Sequence, residues 1–249
     1  MPKEIEVQIH DINYDDMIRR IKKLGAKLVH KNTRFIRSTY HTCNGQSRQV
    51  ESFARVRKES NDVTITVKVY NNAKYPDEYE ISTPNSFDDA RSLLLALNLQ
   101  EKSIQETYRE KWHIPKLPNI KEITFDMVPG LPLYMEIEAS DETSLEDILA
   151  KLAINKSQIK TGAFSARYEE YYNIPKTHIE NNTPTITFAD IHKYVKPAKN
   201  AALFKRVIRE QRAKLGIKNI GLSQSLGMKT IKTISGTATT KRYSTLKKH

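Results

Sequence analysis

Seven short stretches of this chain alternate charged or polar residues with apolar ones at a period of two, and nearly every stretch carries charge of one sign. Successive side chains of a β-strand point to opposite faces, so this pattern demands half-polar strands and is incompatible with helix over the same residues. In EIEVQI (4–9), Glu4, Glu6 and Gln8 alternate with Ile5, Val7 and Ile9. In 51–58, Arg55 and Arg57 share a face, with Ala54 and Val56 opposite. In 62–70, Lys68 follows Thr64 and Thr66, opposite Ile65, Val67 and Val69. Glu78 and Glu80 alternate with Tyr79 and Ile81 in 77–83. Arg109 and Lys111 form another basic pair in 105–113. Asp126 stands between Phe125 and Met127 in 121–128, and Glu136 and Glu138 alternate with Met135, Ile137 and Ala139 in 133–140. A further strand is expected at 34–42 (RFIRSTYHT).

Helical spacing interrupts these strands in a few places. Met17, Ile18, Ile21 and Leu24 mark a helix over 15–24, with Gly25 as its stop. Ser86 begins a capping-box-like SFDD before a second helix, and Ser144 with Asp147 suggests a cap for a third, LEDILAKL. Short helical pieces are expected around 156–160 and 166–172. Helices are too few and hairpin neighbours too many for a doubly wound parallel sheet. The pattern predicts an α+β architecture, an antiparallel sheet with helices packed outside.

Charge on a half-buried strand ordinarily faces water. Like-signed strands recurring in one chain allow a second arrangement: closure into a β-barrel with the charged faces inward. A dry lumen of that kind is prohibitively costly, so it would contain water, metal and ligand. Clustered carboxylates suit Mg²⁺ or Mn²⁺. Converging Arg and Lys suit a polyanion, above all phosphate. Together they point to phosphoryl chemistry. Only 8 glycines are present, with no GKS or GKT, so side chains rather than a glycine-rich loop would hold the phosphate.

The ordered set of motifs resembles the CYTH family of triphosphate tunnel metalloenzymes. The correspondence runs through EIEVQ, the KKLGA turn at 22–26, ARVRK, TITVKVY, DEYEI, YREKW, YMEIEA and SARYEEYY, over residues 3 to about 174. That family includes class IV adenylate cyclases, thiamine triphosphatases, inorganic tripolyphosphatases and, more distantly, RNA 5′-triphosphatases. The resemblance implies an eight-stranded antiparallel β-barrel, a tunnel binding a linear triphosphate with divalent metal. It assigns Glu4, Glu6, Glu136 and Glu138 to the metal, and Arg55, Arg57, Lys68, Arg109 and Lys111 to the phosphates. Glu78, Glu80 and Asp126 would position the attacking water or a second metal. Two positions depart from the family pattern: Gln8 replaces the lysine of ExExK, and Thr107 stands where a lysine is frequent. The implied activity is metal-dependent hydrolysis of a triphosphate. Cyclisation of ATP, RNA 5′-triphosphatase action and non-catalytic binding of polyphosphate or nucleic acid are the alternatives. Trp112 and Phe125 are expected to pack outside the barrel, and His10 to be a surface or packing residue.

The net charge of +12 is unevenly placed. Of 41 basic and 29 acidic residues, 15 and 2 lie in 184–249, leaving 26 and 27 before it. A nearly neutral tunnel domain (1–176) is therefore expected to carry a basic C-terminal extension (177–249). One helix is expected in it at 199–215, with an apolar stripe of Ala202, Leu203, Val207, Ile208 and Leu215, and a flexible remainder. The extension either binds nucleic acid, an RNA 5′ end included, or is solvated or docked on the body. A single cysteine, Cys43, and a start without an apolar signal segment fit a cytoplasmic protein with no membrane association.

Overall fold

The computed structural model describes residues 5–41, 51–70 and 76–217. In chain order the elements are β1 (Ile5–Ile9), α1 (Tyr14–Lys23), β2 (Lys27–His41), β3 (Glu51–Glu59), β4 (Asp62–Tyr70), β5 (Asp77–Thr83) and α2 (Phe87–Ala96). Then come β6 (Gln100–His113), β7 (Ile120–Met127), β8 (Tyr134–Ala139), α3 (Glu142–Lys151), a 3₁₀ turn at Lys156–Gln158 and β9 (Ile159–Lys160). The chain continues through α4 (Ser165–Tyr172), α5 (Lys176–Asn181), β10 (Thr185–Ile186), α6 (Ile191–Tyr194) and α7 (Ala201–Leu215).

The strands form one sheet in the order β5-β4-β3-β2-β6-β7-β8-β1-β9, with β10 paired to β6. The eight-stranded closed barrel expected from sequence is corrected on two counts. The sheet has ten strands, and among the described residues no ladder joins β5 to β1 or β9. Alternation reports which face a residue takes, not which strands are neighbours, so closure was beyond its reach. All ladders are antiparallel except β10 on β6. β6 is 14 residues long, and β7 covers only its second half, Tyr108–Trp112. β10 pairs at Ile104 and Gln105, occupying the edge that β7 leaves open.

Apolar faces pack under helices. Val7 and Ile9 of β1, Trp112 of β6, Ile123 and Phe125 of β7, and Met135 and Ile137 of β8 form one core with Met17 and Ile21 of α1 and Leu145 and Ile148 of α3. Trp112 and Phe125 thus pack against helices, as expected. A smaller core sets Phe87, Ala90 and Leu94 of α2 on Ala54, Val56 and Val63. Ser86 caps α2 in a full capping box with Asp89. The cap of α3 is Asp141, which accepts from the backbone N–H of Ser144, so the helix starts a turn earlier than Ser144 suggests.

The third core explains residues 165–215. Tyr168, Tyr172, Ile186, Ile191, Phe204 and Ile208 pack on Val128, Leu131 and Tyr134 at the β7–β8 turn. The buried Gln211 side chain accepts from Gly130 N–H (2.8 Å) and donates to Val128 O (2.8 Å) and Leu131 O (2.9 Å). Gly130 has φ +76°, and a Cβ there would meet the Phe204 ring at 2.5 Å. Helix α7 forms where the spacing predicts it, but its buried residues are Phe204, Val207, Ile208 and Gln211, while Ala202 is exposed. No helix among the described residues is long and apolar enough to cross a membrane.

Candidate functional site

The strand register brings the predicted charged residues onto one face. Glu78 and Glu80 of β5 lie beside Lys68 and Thr66 of β4, and Thr66 lies beside Arg55 of β3. Arg57 faces Arg37 of β2, which faces Gln105 of β6. Arg109 faces Asp126 of β7, Thr124 faces Glu136 of β8, and Glu136 and Glu138 face Gln8 and Glu6 of β1. Of the twelve predicted site residues, only Glu4 lies outside the described residues.

These residues group into two clusters. In the β3–β5 cluster, Arg55 lies 3.3 Å from Glu78 and 3.7 Å from Glu80, Arg57 lies 3.5 Å from Glu80, and Lys68 lies 3.6 Å from Glu78. Thr66 donates to Glu80 at 2.6 Å. Burial would raise the Glu80 pKa, but that hydrogen bond and the Arg57 and Arg55 charges outweigh it and hold the group below its usual range. Arg57 is shifted down, by burial first and by Arg55 second.

The β6–β8 cluster is centred on Arg109. It donates to both oxygens of Asp126 (2.7 and 2.5 Å), to Glu136 (2.6 Å) and to Glu122 (3.3 Å). Burial alone would lower the Arg109 pKa, and the adjacent Asp126 and Glu136 carboxylates raise it well above its ordinary value. Lys111 pairs with Glu122, and Glu138 pairs with Lys121 at 2.7 Å. Glu136 is shifted well up by burial and then by Asp126, against the pull of Arg109. Gln8 donates to Glu136 at 3.1 Å and is itself 3.3 Å from His10 Nε2. His10, buried and stacked on Tyr134 at 4.8 Å, has its pKa lowered to about 4, chiefly by burial.

Phe35 separates the clusters: the Arg57 and Arg109 guanidinium carbons lie 5.6 and 5.5 Å from its ring centroid. Two members of the site went unread in the sequence. Glu122 shares the Asp126 face but stands four residues away with Thr124 between, so no charged pair advertised it. Arg37 is three residues from Arg34, a spacing that places the two on opposite faces; Arg34 instead holds Glu106 at 2.5 Å on the other side.

Among the described residues no group of three or more His, Cys, Asp or Glu is gathered closely enough to hold a metal. The chemistry of the donors nevertheless fits a hard cation. Glu6, Glu136 and Glu138 share neighbouring positions on β1 and β8, all offer carboxylate oxygen, and Glu6 is among the charges that push Glu136 toward its protonated form. That excess of negative charge is what a divalent ion relieves.

A model of the CYTH domain matches residues 2–168. No curated protein matches the sequence. Among solved structures, a protein of Pyrococcus horikoshii OT3 (PH1012) is similar at 19% identity and a TM-score of 0.54, covering 65% of this chain and 96% of its own. A second protein of that organism (PH1819) is 20% identical with a TM-score of 0.51, over 67% of this chain and 98% of its own. A proposed adenylate cyclase from Vibrio parahaemolyticus is 15% identical with a TM-score of 0.55, over 66% and 96%. At such identities these likenesses speak for the fold.

Proposed function

Because the chain belongs to the CYTH family, we propose that it is a divalent-metal-dependent phosphohydrolase acting on a triphosphate, whether inorganic tripolyphosphate, a nucleoside triphosphate or another organic triphosphate. The observation that carries this reading is the single polar face on which Arg55, Arg57, Lys68, Arg109 and Lys111 come together with carboxylates from four strands.

In this reading Arg55, Arg57 and Lys68 grip one end of the triphosphate, and Arg109 and Lys111 grip the other. Guanidinium groups already oriented by carboxylates lose little side-chain freedom on meeting phosphate oxygens. Glu6, Glu136 and Glu138, with Glu4, would hold Mg²⁺ or Mn²⁺, which when bound neutralises charge across the phosphate oxygens. Glu78, Glu80 or Asp126 orients a water molecule in line with the scissile phosphorus. Glu80, which its neighbours keep ionised, is suited to orient that water as a hydrogen-bond acceptor.

The test is turnover by the full chain with Mg²⁺ or Mn²⁺ on tripolyphosphate, ATP, thiamine triphosphate and triphosphate-ended RNA, with product identification. Released phosphate supports hydrolysis, cyclic AMP from ATP would replace it with cyclisation, and silence across the panel defeats the enzyme reading. Preference for the RNA substrate is the second reading. It is favoured by the outer face of α7, where Lys205, Arg206, Arg209 and Lys214 are exposed together.

A further inference from the structure

Arg37 is the cation of this face that the sequence pattern hid. It sits on β2, between Arg57 on β3 and Gln105 on β6, and so between the two clusters. Its Nη2 donates to Thr107 Oγ1 at 2.8 Å, while its Nε is buried with no hydrogen-bond partner. Every other phosphate-ligand candidate is paired with a carboxylate: Arg55 with Glu78, Arg57 with Glu80, Lys68 with Glu78, Arg109 with Asp126, and Lys111 with Glu122. Among the described residues no ion pair reaches Arg37. Burial and then the charges of Arg55, Arg57 and Arg109 push its pKa down to about 10, so it remains a cation at neutral pH.

A half-buried guanidinium whose Nε–H is buried and orphaned, beside three like charges, destabilises the empty protein. A neutral side chain would serve the fold better at this position. The arrangement becomes favourable when an anion enters that is long enough to touch both clusters. A single phosphate held by Arg55, Arg57 and Lys68 does not require Arg37, whereas a chain of phosphates running on toward Arg109 passes it.

We propose that Arg37 is a specificity-determining anion ligand that holds the middle of a linear polyphosphate and makes the site select three linked phosphates over two. This rests on the triphosphate reading above and adds a residue and a length preference to it. Its free Nε–H supplies a charge-assisted hydrogen bond to a bridging or non-bridging oxygen, and its charge is compensated only while that oxygen is present.

The experiment measures binding of inorganic tripolyphosphate, pyrophosphate and phosphate to the full chain by calorimetry without metal, alongside thermal melting with and without each anion. The variants are Arg37→Gln and Arg37→Lys. The wild type is expected to bind tripolyphosphate more tightly than pyrophosphate. Arg37→Gln should weaken tripolyphosphate at least tenfold, about 1.4 kcal/mol, and change pyrophosphate by less than about threefold, about 0.6 kcal/mol, collapsing the preference. Arg37→Lys should retain part of it. Without ligand, Arg37→Gln should melt no lower than the wild type, while its stabilisation by tripolyphosphate is lost.

If the wild type binds tripolyphosphate and Arg37→Gln keeps the same preference, the Arg37 proposal falls and the triphosphate reading survives. A wild type that binds none of the three anions sinks both. An Arg37→Gln protein that melts several degrees lower without ligand, together with an Arg37→Lys protein that binds as poorly as Arg37→Gln, makes the residue structural and overturns the proposal.

Discussion

Replacing Arg109 with methionine tests the electrostatics of the site most severely. The substitution keeps an unbranched side chain and removes the charge that three carboxylates share. Asp126 is only 5% exposed and Glu136 14%, so water cannot substitute for the lost partner. Breaking a buried pair from one side typically costs about 3–5 kcal/mol. The only tryptophan, Trp112, is buried and reports unfolding by fluorescence in urea. The expected loss at pH 7 is therefore about 4 kcal/mol, shrinking toward about 1 kcal/mol at pH 4.5, where protonating the carboxylates is cheap. Millimolar Mg²⁺ should restore part of it if Glu6, Glu136 and Glu138 take a cation. Lys121→Met, which breaks the more open pair with Glu138, should cost less than about 1 kcal/mol. A loss below about 1 kcal/mol at pH 7 for Arg109→Met, or one that is unchanged at pH 4.5, would refute this account.

Two further outcomes follow from the fold. His10 is held neutral, with a folded pKa of about 4 against 6.5 unfolded. Below pH 6.5 the unfolded chain gains a proton that the folded one refuses, so stability should fall by about 3 kcal/mol between pH 6.5 and 4; His10→Phe, which can keep the stack on Tyr134, should remove that part of the slope in urea titrations across pH. Gln211→Leu removes the side-chain partner of the Gly130 N–H and of the Leu131 and Val128 carbonyls at the β7–β8 turn, of which Val128 O keeps the Leu131 N–H, so it should lower stability by about 2 kcal/mol or more; a variant as stable as the wild type would show that α7 is not needed to hold that turn.

The face each strand residue takes was legible because the pleat converts a period of two directly into geometry. Glu6, Glu136, Arg57 and Lys68 needed nothing more to be placed on the polar side of their strands. Ser86 with Asp89 was equally plain, since a capping box is a local contract between residues three apart. Arg37 was not legible. It is an unpaired charge in RFIRSTYHT, and the register irregularities between Leu28 and Thr33 lengthen β2 beyond what alternation shows. Sheet closure, the two-residue β9 and β10, and the docking of Gln211 all depend on partners distant in sequence. Two residues carry no usable period, and a polar Gln in an otherwise basic helix reads as solvent-facing until Gly130 is found opposite it.

The difference between Arg37 and its neighbours also bears on how an anion would be selected. When a phosphate oxygen meets Arg55 or Arg109, it must compete with Glu78 or Asp126 for the same N–H groups, so the net gain is the difference between two charge-assisted bonds. Such exchange positions a ligand precisely where the donors are already aimed, yet it contributes modestly to affinity. At Arg37 no carboxylate is displaced, and the orphaned Nε–H moves from an unpaired to a paired state. The gain there includes relief of a cost the empty protein already bears. Discrimination between polyanions should therefore fall disproportionately on Arg37, the guanidinium of this face with no carboxylate partner among the described residues, with the paired cations setting orientation. Metal tightens the same logic: a cation taken up by Glu136 would loosen that carboxylate's hold on Arg109 and turn the guanidinium toward phosphate.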